Sequence, residues 1–278
     1  MASNKTRNSG TTNPVIRPMG SIAVQPPQQD DDQQDDTQQI NQPGHGGQPP
    51  RDPEQLLDWF KTATQAEADA WLQSIQAEAV DDRQQDDDIT RFFNQIGWAD
   101  RTPEVLDENT FQQTYQAAGR PQLMYHSDQP YGGIGARDFA AQYMGKSQMF
   151  NGDTRRQYYS NGYYGNGTYF ADSASESAYY GTSQFRGFFN SNAKMISIGS
   201  LTSKISAYCN KYPAFRSVYN KIMGGYSGSE SDARVSVMAA MMGYNVIHNG
   251  SSYYTVLDRS VTTVSSQTKR ARTGMSDW

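Results

Sequence analysis

Residues 165–180 read GNGTYFADSASESAYY, and no other stretch of this chain restricts its fold as tightly. Two glycines two apart, Gly165 and Gly167, lead into a β-prone Thr-Tyr-Phe. A run of small residues follows and ends in Tyr179 and Tyr180. Glycine against the start of a strand lets another group approach the backbone closely, because no side chain stands in the way. The pattern predicts a strand ending at Asp172 that turns at once into a short Ser/Ala helix. Asp172 is placed to cap that helix, and the glycines suggest that something flat and polar comes against the backbone.

Polarity divides the chain. Residues 1–50 hold nine Gln, five Asp and seven Pro, and the first aromatic of the chain is Trp59. Such a segment buries too little apolar surface to offset the entropy of ordering it. It is read as a disordered tail, with order beginning near Arg51. Charge divides the same way: residues 1–120 carry a net −11 and residues 121–278 a net +6, which together give the formal −5. A basic C-terminal half suits an anionic ligand such as a dinucleotide or nucleic acid. The single cysteine, Cys209, excludes an internal disulfide framework and a cysteine-based zinc site, and no metal is expected. Neither a signal-like apolar run nor a membrane-length apolar stretch is present, so the expectation is a soluble, cytoplasmic protein.

Between 51 and 104 the pattern is helical. PEQLLDWFKTA opens with Pro53 in a first turn and puts Leu56, Leu57 and Phe60 on one face. TQAEADAWLQSIQAEA has Thr64 and Glu67 at capping-box spacing, with Trp71, Leu72 and Ile75 as its apolar stripe. DDDITRFFNQIGW is a third helix. These three predict a small bundle, a cap on the next domain, or a face for a protein partner. From about Thr110 short strands and Gly/Tyr/Ser-rich loops take over. PQLMYHSD, GTYFAD and AKMISIGS read as strands; DFAAQYMGK (138–146), KISAYCNKY and FRSVYNKIMGG read as helices. DARVSVMAAMMGY is a helix with Val235, Met238, Met241 and Met242 inward. YNVIHNGSSYYTVL is a hairpin about Asn249-Gly250, a favoured tight-turn pair. Residues 267–278 read as a C-terminal tail.

The opening segment resembles the signature of the PARP-type ADP-ribosyltransferases: Gly-x-Gly-x-Tyr-Phe-Ala-Asp, then a Ser/Ala-rich helix ending in Tyr. The matching positions are Gly165, Gly167, Tyr169, Phe170, Ala171, Asp172, Ser177, Ala178 and Tyr180. Upstream, LMYHSD sets His126 at a strand end, where that family keeps its NAD-binding histidine. Downstream, YYTVLDRSVTTV stands where the family has its last conserved strand. The chain is also similar to divergent ADP-ribosyltransferase domains of phage and bacterial proteins. The likeness spans roughly residues 110–266, and residues 105–266 are read as the catalytic domain.

The resemblance implies an α+β fold, a split β-sandwich of two antiparallel sheets around an NAD cleft. It implies NAD as substrate, with a protein or nucleic acid as acceptor. His126 would hold ribose hydroxyls and Ser177 the nicotinamide amide. Tyr169 and Tyr180 would offer ring faces to the nicotinamide, and Gly167 would let the backbone come near the ligand. Taken alone, Tyr169 and Tyr180 read as core aromatics and Ser177 as a buried small residue.

Two positions depart from the pattern. The family follows its histidine with glycine, where this chain has Ser127. Polymerising members carry a glutamate at the start of the last strand, and here that position falls on Tyr253 or Tyr254, depending on register. No glutamate follows Glu230, which precedes a helix, and Asp258 is expected to face out. The implied activity is therefore transfer of single ADP-ribose units. The alternative is a weak or silent NAD-binding or virion-associated structural protein that retains the fold.

Overall fold

The computed structural model describes residues 49–77, 88–98, 101–128, 167–224, 229–250, 252–272, 274–276 and 278. Except for Pro49 and Pro50, the tail expected over 1–50 lies outside them, as do the helix expected at 138–146 and Gly165.

Three helices come first: α1 (Pro53–Phe60), α2 (Gln65–Ala77) and α3 (Asp88–Gln95). Asp52 caps α1 by accepting from the Glu54 N–H at 3.0 Å, and Pro53 fills the first turn, where no N–H is required. Ahead of α2, Thr64 and Glu67 close a capping box. Glu67 Oε2 accepts from the Thr64 N–H at 2.7 Å, and Thr64 Oγ1 accepts from the Glu67 N–H at 3.2 Å. Strand β1 (Glu104–Leu106) and helix α4 (Glu108–Ala117) follow, the helix capped by Asp107. Sequence patterning does not mark α4, of which only Phe111 is fully buried.

The chain continues through β2 (Met124–Asp128), β3 (Thr168–Ala171), the one-turn α5 (Ala174–Ser177), β4 (Ser183–Phe189) and β5 (Met195–Ser197). Helices α6 (Ile198–Lys211), α7 (Pro213–Met223) and α8 (Ser229–Met241) come next. Strands β6 (Val246–His248), β7 (Tyr253–Val256), β8 (Thr262–Ser265), β9 (Lys269–Arg272) and β10 (Met275–Ser276) finish it. The expected hairpin forms between β6 and β7, with Gly250 at φ +80°, a conformation that glycine adopts without strain.

The architecture is mixed α/β, an open mixed sheet with helices. Its strands run β1–β8–β4–β2–β3–β7–β6–β5 in one hydrogen-bonded series. The β1–β8 and β5–β6 pairs are parallel and the others antiparallel, so the strands are not divided into two purely antiparallel sheets. Strand β4 forks: Gly187–Phe189 pair with β8, while Ser183 and Gln184 pair with β9. The expected tail over 267–278 is thus corrected to a strand pair, with β10 lying against β9. Its alternating Lys-Arg-Ala-Arg conceals the strand, because only Ala271 is buried.

One core unites the helices. Phe60 of α1 packs edge-on against Trp71 of α2 at 5.3 Å and against Phe215 of α7 at 5.5 Å. Burying each such ring is worth about 1.5–3 kcal/mol. The same cluster takes in Phe92, Met238, Met241, Ile247 and Leu257. On α8, Met238 and Met241 are buried as expected, as is Met242 just past its end, while Val235 is half-buried. Helices α1, α2 and α3 are therefore a cap fused to the sheet: their apolar faces are spent on the chain's own core. A second cluster of Met124, Phe170, Phe185, Val246, Val256, Val261 and Val264 lies along the sheet itself.

Candidate functional site

Strand alternation sorts the expected residues onto two faces. The Tyr125–Ala171 register puts His126 beside Phe170, and β4 sets Phe185 on its other side. Phe170 pairs with Tyr254, and Tyr254 with His248, so this row runs Phe185–His126–Phe170–Tyr254–His248. On the opposite face the next row runs Gln184–Ser127–Tyr169–Thr255, and beyond it Arg186–Tyr125–Ala171–Tyr253. This register gives the two candidate tyrosines opposite faces. Tyr253 shares a face with Ser127, and Tyr254 shares one with His126.

His126 is 7% exposed, its ring centroid 5.1 Å from Phe185 and 5.6 Å from Phe170. Its Nδ1–H donates to the Tyr169 carbonyl at 2.6 Å. That bond fixes the neutral tautomer, in which Nε2 is an acceptor. Burial pushes the imidazole pKa down to about 4; the Tyr169 carbonyl opposes the shift, and the nearby Arg259 guanidinium adds to it.

The other face is polar. Ser127 Oγ and Ser177 Oγ are hydrogen-bonded at 2.8 Å, and Ser127 Oγ accepts from Gln184 Nε2 at 2.9 Å. Gln184 Nε2 also donates to the Ala174 carbonyl at 2.8 Å. One buried amide thus ties α5 to β2. Gln184 escapes sequence reasoning because nothing in TSQFRGFF sets it apart from its neighbours. Ser127, where the family pattern has glycine, provides the hydroxyl that Ser177 meets.

Ser173, not Asp172, caps α5: its Oγ accepts from the Glu176 N–H at 3.2 Å. The Asp172 N–H instead donates to the Ser252 carbonyl at 2.8 Å, which closes β3 onto the β6–β7 hairpin. Tyr253 donates its hydroxyl proton to Glu176 Oε2 at 2.8 Å, and its ring meets Tyr180 edge-on at 5.8 Å. Burial first, then Tyr180 and Glu176, hold the Tyr253 phenol well above its usual range. Tyr180 itself is 59% exposed. Tyr254 stacks on His248 at 4.7 Å, away from this cluster.

Gly167 meets a packing constraint within the sheet. A Cβ there would stand 2.5 Å from the Val256 carbonyl oxygen and 2.9 Å from Thr255 Cγ2. The glycine admits strand β7. Asp258 is corrected too: it is 2% exposed, accepts from Arg101 Nη1 at 2.7 Å and caps the 3-10 turn Arg259–Val261. That turn splits the expected last strand into β7 and β8. Glu230 sits in the first turn of α8.

The structure therefore brings together Ser127, Ser177, Tyr253 and Tyr180, and adds Gln184 and Glu176. Tyr169 lies on their face, half-buried, while the His126 and Tyr254 side chains lie on the other. Among the described residues no group of three or more His, Cys, Asp or Glu is arranged to hold a metal, and no helix is long and apolar enough to cross a membrane. Compared with models of known protein families, with curated proteins and with solved structures, the chain matches none of them.

Proposed function

We propose that this chain is an NAD-dependent ADP-ribosyltransferase that adds single ADP-ribose units to a protein or nucleic-acid acceptor and releases nicotinamide. The observation that carries the reading is the Ser127–Ser177 hydrogen bond. In the resemblance, the residue after the histidine offers backbone groups and the serine of the short helix offers its hydroxyl to the nicotinamide amide. Here the two are in contact although 50 residues apart in sequence.

The division of labour follows from the side chains. Ser127 and Ser177 are hydroxyls suited to an amide, which both donates and accepts. His126, which the resemblance assigns to the ribose hydroxyls, is buried between Phe170 and Phe185 on the opposite face, so its contribution is to position β2 rather than to contact the sugar or transfer a proton. Tyr169 and Tyr180 present rings to a flat heterocycle. When the nicotinamide–ribose bond breaks, its electron pair leaves with the nicotinamide and positive charge develops at the ribose carbon. The acceptor atom then bonds to that carbon and gives up its proton.

Incubation with NAD labelled in both halves tests this: free nicotinamide and labelled acceptor are expected. Tight NAD binding without either product would instead favour a silent NAD-binding or virion-associated structural protein. The specific observation on that side is Tyr253, a neutral phenol at the start of β7.

A further inference from the structure

We infer that Glu176 supplies, from helix α5, the negative charge that the last strand lacks, and that Tyr253 aims it. This rests on the transferase reading above. Both residues stand on the face that carries Ser127 and Ser177.

The comparison with α2 shows that the Glu176 carboxylate is not committed to capping. Thr64 and Glu67 form a closed box in which the Glu67 carboxylate returns to the cap N–H. Ser173 and Glu176 have the same spacing and make the first half of the box, the Glu176 N–H to Ser173 Oγ bond. The carboxylate does not turn back. It crosses to Tyr253, 77 residues on, and accepts the phenol proton at 2.8 Å. Adjacent residues on a helix point apart. Ser177 accordingly reaches β2 while Glu176 reaches β7, and the two flank β3, whose Tyr169 and Ala171 lie on the same face.

The proton stays on Tyr253, because burial disfavours the phenolate. A carboxylate held beside the developing ribose cation opposes its charge without forming a bond. Tyr253 occupies the strand position where the resemblance expects glutamate, and through its hydroxyl it fixes the substitute. In this account Glu176 is the catalytic residue and Tyr253 a positioning residue.

The test compares the wild type, Glu176→Gln, Tyr253→Phe and the double variant Glu176→Gln/Tyr253→Glu. Nicotinamide release gives kcat, and titration with NAD gives Kd. Removing one preorganised electrostatic group lowers rates about a hundredfold, so Glu176→Gln is expected to lose about that in kcat and to keep its Kd within about threefold. Tyr253→Phe is expected to lower kcat less, also without a change in Kd. The double variant, which restores a carboxylate on the strand, is expected to regain at least about tenfold over Glu176→Gln. Wild-type kcat in Glu176→Gln would overturn the inference while leaving the transferase reading standing. A loss of NAD binding in step with kcat, or no recovery in the double variant, would reduce Glu176 to a structural role. A wild type that releases no nicotinamide would overturn the transferase reading, and this inference with it.

Discussion

His126 shows how a residue picked out by a motif can serve packing in the folded chain. Its neutral ring fills the space between Phe170 and Phe185, so replacing it with alanine disturbs the core as well as any ligand contact. His126→Gln is the gentler probe, because the side chain stays polar and does not titrate. With the folded pKa near 4 and the unfolded value at 6.5, the unfolded chain binds the proton more readily. This contribution to stability is complete above the unfolded pKa. It is lost as pH falls from 6.5 through about 4, and amounts to roughly 3 kcal/mol. Urea unfolding at a series of pH values is expected to show that slope in the wild type and a flatter one in His126→Gln; equal slopes would contradict the assignment. Gly167 makes a second test. An added methyl must displace the Val256 carbonyl, so Gly167→Ala is expected to cost about 1–3 kcal/mol in thermal melting even without NAD. A neutral result would return that glycine to ligand approach.

Among the elements, the most legible were those with a strong local signal. The Thr64–Glu67 box, the β6–β7 hairpin at Asn249-Gly250 and the strand carrying His126 all stand where their patterns put them. Elements held by long-range contacts were not legible. Strand β4, at the fork of the sheet, is buried through most of its length and has no alternation to betray it. Strand β9 is charged on its open face, so the segment reads as a tail. Of the site, Ser177 and Tyr180 were visible through the opening segment. Glu176 sits inside that same segment, yet only the folded chain shows its carboxylate leaving the cap for Tyr253. Asp258 escaped because facing in or out cannot be read from one carboxylate after a strand. Its side chain holds both the Arg101 guanidinium and the turn that parts β7 from β8. Asp258→Ala is expected to lower stability by about 1–2 kcal/mol, because the turn loses its cap while the half-exposed Arg101 regains water. Chemical denaturation checks it; a loss below about 1 kcal/mol would place the pair among weak surface bridges.

Across the whole molecule, the helices of residues 51–98 and the sheet share one core, which ties their folding together. A chain beginning at residue 105 would expose Phe215, Met238, Met241 and Ile247, all fully or nearly fully buried in the intact chain. It is expected to lack cooperative melting, whereas a chain beginning at residue 49 is expected to melt as the full chain does. The polar cluster of Ser127, Ser177, Gln184, Glu176 and Tyr253 is assembled on this common frame, and the transferase reading rests on it. The most direct measurement is mass spectrometry of acceptor proteins and nucleic acids after incubation of the purified full chain with NAD, alongside assay of free nicotinamide. The account predicts nicotinamide release with single ADP-ribose additions and no chains. NAD left intact, or long ADP-ribose polymers on the acceptor, would contradict it.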